Sequence, residues 1–488
     1  MMSKSSFLPD FHKSGLGRKP LATAHRLARQ VRRLDALCLD HLELLLGQFL
    51  PGWVCRFKTS AGANSRRRTF TPVLTFWAFL SQVLDADSSC RRALSRVQAL
   101  CVARGLAPVS DCTAAYCKAR ARLSARMLVG VLRHVTAAVQ ACAGDWGTQG
   151  GRLLVMDGTT LTLPDSLANR AVYAYAPGQK PGCGFPQMHL LGLFDLRTGA
   201  CLRVVRSTTR RHDLALAWKL TGFLRKGDTL VADRAFCSYA FIAACQARGV
   251  DVVMRLHQAR EVDMRSGKRL GKGDRLHIWS KPLQRSKGMP LARHLSLPAT
   301  LTVRIICSQV TVRGRRPAPM YLATTLRDAK AQSTAAICAL YLQRWDVELF
   351  FDDIKTSQSI DMLRCQSPHM VARELLLHLI AYNLVRMLML QANVLRPVAQ
   401  PGRLSFKGTL DRINQWHGTL WGCTSRRQSA ARLTALLTLI AADVVPPRPG
   451  RYEPRLIKRR HDSYSLLTRP RAQMRREPAP SKHHQSAA

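Results

Sequence analysis

The spacing of apolar residues along the chain changes near residue 150. Before that point apolar positions recur at helical intervals, as in VRRLDALCLDHLELLLGQFL, which predicts one helical segment at 1–60 and a second helical region at 61–150. After it, RLLVMDGTTLTL and MHLLGLFDLRTGACLRVVRST are rich in β-branched residues and leucine, which predicts strands. The order to residue 256 is three strands, helix, strand, helix, strand. This order predicts an α/β fold whose sheet has mixed strand directions.

The remaining sequence divides into four segments. Charged turns between strand-like pieces predict a β-rich insertion at 257–324. Helical spacing resumes at 325–400 and continues through C-terminal helices at 401–446. The Pro- and Arg-rich stretch 447–488 predicts an extended or disordered basic tail.

The longest apolar run, ELLLHLIAYNLVRMLML, is interrupted by polar and charged residues: His378, Asn383 and Arg386. Such interruptions favour a buried helix over a membrane span. The N-terminus has no apolar stretch long enough for a signal peptide. The 15 cysteines form no CxxC pair, which favours reduced thiols in a cytosolic protein over a disulfide framework or a zinc site.

The charge balance of the chain indicates the kind of partner that it binds. The chain has 75 Lys and Arg against 30 Asp and Glu, a formal net charge of +45, and nucleic acid is the polyanion that best matches it. An anionic membrane surface is the alternative. In PVSDCTAAYCKARARLSARML, Ser110 or Asp111 could cap a basic helix. That helix is either a solvated face or part of a DNA-binding region at 61–150, with four candidate DNA-binding residues: Lys118, Arg120, Arg122 and Arg126.

Two aspartates each end a strand that is predicted to be buried. Asp157 follows RLLVM, and Asp233 follows DTLVA. Taken alone, each could be a cap or could pair with a neighbour such as Arg234. If the two strands are adjacent in one sheet, however, the carboxylates meet at one edge and repel each other unless a divalent cation lies between them.

The segment YLQRWDVELFFDDIK supplies a possible third carboxylate. At about 100° per residue, the polar residues Tyr341, Arg344, Glu348 and Lys355 share one face of a helix. Glu348 could complete a metal site, while Arg344 and Lys355 could hold phosphates. Asp352 is a rival ligand on that face. The structural alternative is a simple helix with an Arg344–Glu348 ion pair.

These residues resemble the DDE transposases of the bacterial insertion-sequence-4 family. The resemblance rests on Asp157, Asp233, Glu348 and the spacing YxxRxxxExxxxxxK from Tyr341 to Lys355. The flanks DGTTLTLPDS, GCGFPQMHLLGLFDLRTG, DTLVADRAF and RYEPRLIKRR also agree, except that Ser166 occupies a position where threonine is expected. The likeness extends from about residue 65 to about residue 470.

The resemblance implies a ribonuclease H-like catalytic core, with its first part at 151–256 and its second part at 325–400. It also implies two Mg²⁺ ions, or Mn²⁺, held by Asp157, Asp233 and Glu348. The expected activity is cleavage at the element ends followed by strand transfer into target DNA.

Further expectations concern DNA contacts and partners. Arg344 and Lys355 should contact phosphates, with Tyr341 donating a hydrogen bond to one of them. Trp279 could stack on a displaced base, as a tryptophan of the insertion does in some relatives, or pack within its strand. The expected partner is double-stranded DNA, both terminal inverted repeats and target, bound by a homodimer. The expected location is the cytoplasm, in association with the nucleoid.

Two other functions fit parts of the sequence. A DNA-binding protein without catalytic activity, such as a repressor, would explain the charge but not the three carboxylates. A related metal-dependent nuclease without strand transfer would explain both.

Overall fold

The computed structural model describes most of the chain between residues 46 and 446. The described residues are 46–54, 69–85, 87, 89–103, 105–142, 151–176, 182–208, 211–285, 289–310, 318–395, 403–421, 425–446 and 469–474. Most of the N-terminal segment 1–60 and most of the tail 447–488 lie outside these residues, so the predictions for them are untested.

The described residues before the sheet form a short 3₁₀ turn at Gly47–Phe49 and four helices. The helices are α1 (Pro72–Leu84), α2 (Cys90–Ala103), α3 (Thr113–Arg122) and α4 (Ala125–Cys142). Helix α1 begins where Thr71 caps it, since the Thr71 hydroxyl accepts a hydrogen bond from Leu74 N at 3.2 Å. Pro72 occupies the first turn, where the missing N–H costs no hydrogen bond.

The predicted basic helix differs from expectation in two ways. It begins after Cys112 rather than after Ser110 or Asp111. It also ends at Arg122, so Arg126 lies on the next helix, α4.

The described residues of the part predicted to be α/β form five strands and three α-helices. The strands are β1 (Leu153–Thr162), β2 (Gln187–Asp195), β3 (Cys201–Thr208), β4 (Thr229–Ala232) and β5 (Asp251–Arg255). The helices are α5 (Leu167–Val172), α6 (Asp213–Leu220) and α7 (Tyr239–Gln246). The short helix α5, which Ser166 caps, was not predicted.

In the β-rich segment after β5, the residues that the structure describes add four strands and a short helix. These are β6 (Lys268–Gly271), β7 (Asp274–Ser280), α8 (Leu291–Leu295), β8 (Thr300–Val310) and β9 (Ala318–Thr324). The described strands form one nine-stranded sheet in the order β3-β2-β1-β4-β5-β9-β8-β7-β6. The pairs β1–β4 and β4–β5 are parallel, while the other described pairs are antiparallel. The later strands therefore extend the first sheet instead of forming a separate one.

Helices complete the described fold. They are α9 (Thr334–Leu342), α10 (Asp346–Asp352), α11 (Pro368–Leu395), α12 (Phe406–Trp421), α13 (Arg426–Ala442) and the short α14 (Arg471–Met474). Helix α11 packs against α1, α4 and α13, and so joins the N-terminal helices to the sheet and the C-terminal helices.

The apolar run predicted to be a buried helix forms much of α11. Among the described residues, α11 is the one helix long and apolar enough to span a membrane, yet 89% of its most apolar window is buried inside the protein. Asn383 on α11 is fully buried and accepts a hydrogen bond from Cys201 N at 2.9 Å. Its amide also donates to Cys201 O at 3.0 Å. The helix thus has the packing of a core helix, as predicted.

Candidate active site

The two aspartates lie on adjacent parallel strands, but only Asp233 follows the end of its strand. The prediction that Asp157 ends a strand is wrong, because β1 continues past it to Thr162 in its pairing with β2. The last registered pair of β1 and β4 is Met156 with Ala232, and Asp157 and Asp233 come directly after it. Asp157 Oδ1 accepts a hydrogen bond from Gly158 N at 2.8 Å, and Asp233 Oδ1 accepts one from Arg234 N at 2.6 Å. The sequence prediction that the two carboxylates share one region of the sheet agrees with this register.

The electrostatics of Asp157 also indicate a crowded acidic site. Burial raises the pKa of the Asp157 carboxyl, and the charges of Asp213 and Asp233 raise it further. The hydrogen bond from Gly158 and the charge of Arg344 oppose that rise. Carboxylates that repel each other in a partly buried place are a common feature of catalytic sites.

The segment 341–355 is helical but is not one regular α-helix. Tyr341 lies in the last turn of α9, Gln343–Trp345 form a 3₁₀ turn, and Asp353–Ser357 form a π-helical turn after α10. Because these turns differ in residues per turn, a projection at 100° per residue does not give the true side-chain directions. The apolar residue Leu349 of this segment, for example, is 61% exposed.

Helix α10 is held against the sheet by aromatic packing. Phe351 contacts Phe194 of β2 edge-to-face with ring centroids 5.1 Å apart. Gly192, which pairs with Asp157 across β1 and β2, makes room for these rings. A Cβ atom at Gly192 would lie 2.5 Å from the Phe194 ring. The core beneath the aspartates therefore fixes the position of α10 above them.

Arg344 faces the aspartate pair from a buried position. Its side chain is 8% exposed, and its Nη1 lies 3.6 Å from Asp157 Oδ2. The guanidinium stands 4.4 Å from the centre of the Trp345 ring. The buried Nε of Arg344 has no hydrogen-bond partner among the described residues. A buried guanidinium with a free donor is suited to an anionic ligand such as a phosphate.

Tyr341 lies in the same place. Its side chain is buried, and burial raises the pKa of its hydroxyl, while Arg344 lowers it and the charge of Asp233 raises it. Asp157, Asp233, Tyr341 and Arg344 therefore form one electrostatically connected group, even though they come from three separate parts of the sequence.

Glu348 and Lys355 line an open cleft with Asp157. The cleft has a volume of about 790 Å³, and Asp352 is also in its lining. Glu348 is exposed and Lys355 is half-buried, with its Nζ 3.3 Å from Asp361 Oδ1. Asp352 accepts a hydrogen bond from the Thr356 hydroxyl at 2.6 Å, so Glu348 is the less constrained of the two candidate ligands.

The structure does not gather the three predicted ligands around one point. Within the described ranges, no group of three Asp, Glu, His or Cys side chains is close enough to hold a metal ion. The structure brings Asp157 and Asp233 together and places Glu348 in the cleft that Asp157 lines. Arg344 occupies the position beside Asp157.

Two functional candidates were missed in the sequence. The first candidate is Asp213, at the first turn of α6, and the second is His189 of β2. Asp213 Oδ1 and His189 Nε2 are hydrogen-bonded at 2.5 Å. A Cβ atom at Gly158 would lie 2.5 Å from Asp213 Oδ1, so glycine there lets α6 approach β1. A histidine in the apolar strand MHLLGLF was the signal that could have found this pair.

The remaining predicted DNA contacts are distributed differently from expectation. Trp279 is 6% exposed, and the Arg260 guanidinium lies 3.9 Å from its ring centre, which agrees with packing within the sheet. Arg120 is 7% exposed, and its side chain lies in the helical core. The other three basic side chains are exposed: Lys118, Arg122 and Arg126.

Comparisons with known proteins found similar transposases. The family described as "Transposase DDE domain" matches residues 148–384. Transposase InsG for insertion sequence element IS4, from Escherichia coli (strain K12), is 24% identical over 434 residues, covering 86% of this chain and 92% of that protein. A solved structure of a piggyBac transposase synaptic complex with hairpin DNA is similar over 87% of this chain and 88% of that chain, with 10% identity and a TM-score of 0.41.

The matched range includes Asp157, Asp233 and the whole segment from Tyr341 to Lys355. The part of the chain that carries the site therefore matches a transposase DDE domain, and the chain is an enzyme that acts on DNA as a transposase.

Proposed function

We propose that Asp157, Asp233 and Glu348 are the catalytic carboxylates for cleavage at the element ends and for strand transfer into target DNA. The observation that carries this proposal is the pairing of Asp157 and Asp233 on parallel strands beneath Arg344. Glu348, one helical turn beyond Arg344, lines the same cleft as Asp157.

The catalytic core is ribonuclease H-like. The order β3-β2-β1-β4-β5, with β2 antiparallel to β1 and β4 parallel to it, supports this. The insertion runs from 257 to 324 between the two parts of the core, and its strands continue the sheet beyond β5. The region 61–150 binds DNA through its exposed basic side chains.

The donor chemistry of the site fits hard divalent cations. Three carboxylates would supply the oxygen ligands that Mg²⁺ and Mn²⁺ prefer, and exposed Glu348 is free to turn toward the aspartates. Two bound ions would activate the attacking oxygen and stabilise the leaving oxygen of a phosphodiester. Neutralising Asp157 and Asp233 would also relieve the repulsion that raises the pKa of Asp157.

The cations of the site receive the DNA backbone. Arg344 is oriented by the aromatic rings around it and has a buried donor available for a phosphate oxygen. Lys355 lies in the same cleft and holds a neighbouring phosphate, while the Tyr341 hydroxyl donates to one of these groups. Together they fix the scissile bond against the carboxylates and exclude alternative orientations.

The proposed partner is double-stranded DNA, at terminal inverted repeats and at target sites. The relative from Escherichia coli is a transposase of an insertion sequence element, and the net charge of +45 suits a long anionic ligand. The enzyme works as a homodimer that pairs two ends, in the cytoplasm at the nucleoid.

Binding should be strongly salt-dependent. A protein that neutralises six to ten phosphates loses about 10³ to 10⁵ in affinity between 50 and 200 mM salt, so we expect a log–log slope of about −5 or steeper. Fluorescence anisotropy with an element-end duplex measures it. A slope near zero would contradict backbone recognition by this basic chain.

A supercoiled plasmid carrying two element ends tests the reaction. With Mg²⁺ we expect excised and joined products, and with a chelator in place of Mg²⁺ we expect binding without cleavage. Nicked products alone would support a nuclease without strand transfer. Binding without cleavage under both conditions would reject the catalytic proposal.

A further inference from the structure

A polar cluster outside the catalytic site lies where α1, α2 and α3 meet. Its members are Gln82 of α1, Cys90 of α2, and Tyr116, Cys117 and Arg120 of α3. The Tyr116 hydroxyl donates to Gln82 Oε1 at 2.7 Å. Cys90 and Cys117 are free thiols, both half-buried, so small reagents can reach them.

Arg120 is a buried cation in this cluster. Its guanidinium lies 4.8 Å from the ring centre of Phe79 and 5.3 Å from that of Tyr116. It donates to Gln82 Oε1 at 3.4 Å and to Cys117 Sγ at 3.8 Å, and its Nε has no partner among the described residues. No carboxylate in the described part of the chain pairs with it.

A buried guanidinium without a counter-ion is unfavourable. The Cys117 thiol contacts Arg120 and can become an anion; it lies three residues earlier on α3, a spacing at which side chains meet. The pair is therefore complete when Cys117 has lost its proton.

The second thiol adjoins the first. Cys90 Sγ lies 3.8 Å from Cys117 Sγ, within the range of a sulfur hydrogen bond. The contact with Cys90, followed by the charge of Arg120, lowers the pKa of Cys117 to about 6 against the opposing effect of burial. The contact with Cys117, together with burial, raises the pKa of Cys90. Because the Arg120 guanidinium contacts Cys117 Sγ, a thiolate of this pair is stabilised at Cys117. Cys365, from the segment before α11, adds only a weaker effect on Cys90.

We propose that Cys117 and Cys90 form a thiol-modification site in which the Cys117 thiolate, paired with Arg120, reacts with disulfide oxidants such as oxidised glutathione. The thiolate attacks one sulfur of the oxidant, forming a mixed disulfide and releasing one glutathione thiolate. Cys90 then gives up its proton and attacks Cys117 Sγ, which forms the Cys90–Cys117 disulfide and releases the second thiolate. The two cysteines lose two electrons, and one glutathione disulfide is reduced to two thiols.

Oxidation has a consequence for the helical region. A disulfide sulfur carries no charge, so Arg120 loses its counter-ion, and α2 becomes covalently joined to α3. The site therefore couples the thiol state to the packing of helices that precede the catalytic core.

The pH dependence of alkylation in the unmodified full chain provides the test. The protein is labelled with limiting iodoacetamide from pH 6 to 9, and each cysteine peptide is quantified by mass spectrometry. We expect the alkylation rate of Cys117 to change less than about twofold between pH 7 and 8. A thiol with the ordinary pKa of about 8.5 would react about eightfold faster at pH 8 than at pH 7. Exposed Cys112, on the cap of the same helix, is measured in the same sample as a reference for reagent access.

Trapping the intermediate provides a second measurement. With oxidised glutathione, we expect a Cys90–Cys117 disulfide in the unmodified protein and a single glutathione adduct on Cys117 in Cys90→Ser. Arg120→Gln should restore a steep rise of the Cys117 rate with pH. A Cys117 rate that rises eightfold from pH 7 to 8 in the unmodified protein, absence of Cys117 labelling, or a glutathione adduct at Cys112 with none at Cys117 would each overturn the proposal.

Discussion

Asp157→Asn will lower DNA cleavage by at least about a thousand-fold, because a carboxylate that holds a catalytic metal contributes several kcal/mol to the transition state and each 1.4 kcal/mol is tenfold in rate. Asp233→Asn and Glu348→Gln should have effects of the same size. The amides keep the shape of the side chains but lose the charge. Cleavage of an end-containing plasmid measures the rates, and duplex binding is measured alongside and should persist.

Comparing Glu348→Gln with Asp352→Asn decides which of these two residues of α10 is the third metal ligand. Asp352→Asn is the matched control, since Asp352 lines the same cleft but is hydrogen-bonded to Thr356. We expect it to retain most of the cleavage activity. If Asp352→Asn is inactive while Glu348→Gln cleaves normally, then Asp352 is the third ligand and the assignment of Glu348 fails.

The Asp157 variant should separate activity from stability. Because burial raises the pKa of this carboxyl in the folded protein, folding favours its protonated form, and its contribution to stability decreases as pH rises through that raised pKa. At neutral pH the charged carboxylate is therefore unfavourable for folding. The melting temperature of Asp157→Asn should equal or exceed that of the unmodified protein, so its loss of cleavage cannot come from unfolding.

Much of the site follows from local sequence rules. A carboxylate directly after an apolar run marked both aspartates. Asp233 follows the end of β4, whereas Asp157 lies within β1 at the point where the pairing of β1 with β4 ends. The third candidate is less predictable, because the directions of Arg344 and Glu348 depend on the 3₁₀ and π-helical turns that flank α10. Whether Glu348 joins the aspartates is a tertiary property that periodicity does not contain.

In the basic helix α3, the sequence does not show which basic side chain is buried. Lys118, Arg120 and Arg122 look equivalent in the sequence, yet only Arg120 lies between aromatic rings of the helical core. Its burial depends on Phe79 of another helix, a contact that composition alone does not reveal. Likewise Asp213 reaches the site only because Gly158 allows α6 to approach β1.

Asp274→Ala should cause a large loss of folding stability, because it leaves the fully buried guanidinium of Arg304 without its carboxylate partner. Arg304 is 0% exposed and Asp274 is 1% exposed. Arg304 Nε and Nη2 donate to Asp274 oxygens at 2.9 and 2.5 Å, and the Thr334 hydroxyl donates to the same carboxylate at 2.8 Å. Removing one member of a buried pair costs roughly 3–5 kcal/mol, which urea unfolding followed by circular dichroism would measure.

The double variant Asp274→Leu/Arg304→Met is the control that separates burial of an unpaired charge from loss of the contact itself. Replacing both charges with apolar groups removes the uncompensated cation, so the double variant should recover most of the stability lost in Asp274→Ala.

The Asp274–Arg304 pair joins β7 and β8 to Thr334 at the start of α9, the helix that contains Tyr341 and leads to Arg344. We therefore expect Asp274→Ala to reduce DNA cleavage as well, and the double variant to restore it in parallel with stability. Equal destabilisation in the single and double variants would show that the hydrogen bonds, rather than the buried charge, hold the insertion strands to the helix that carries the site.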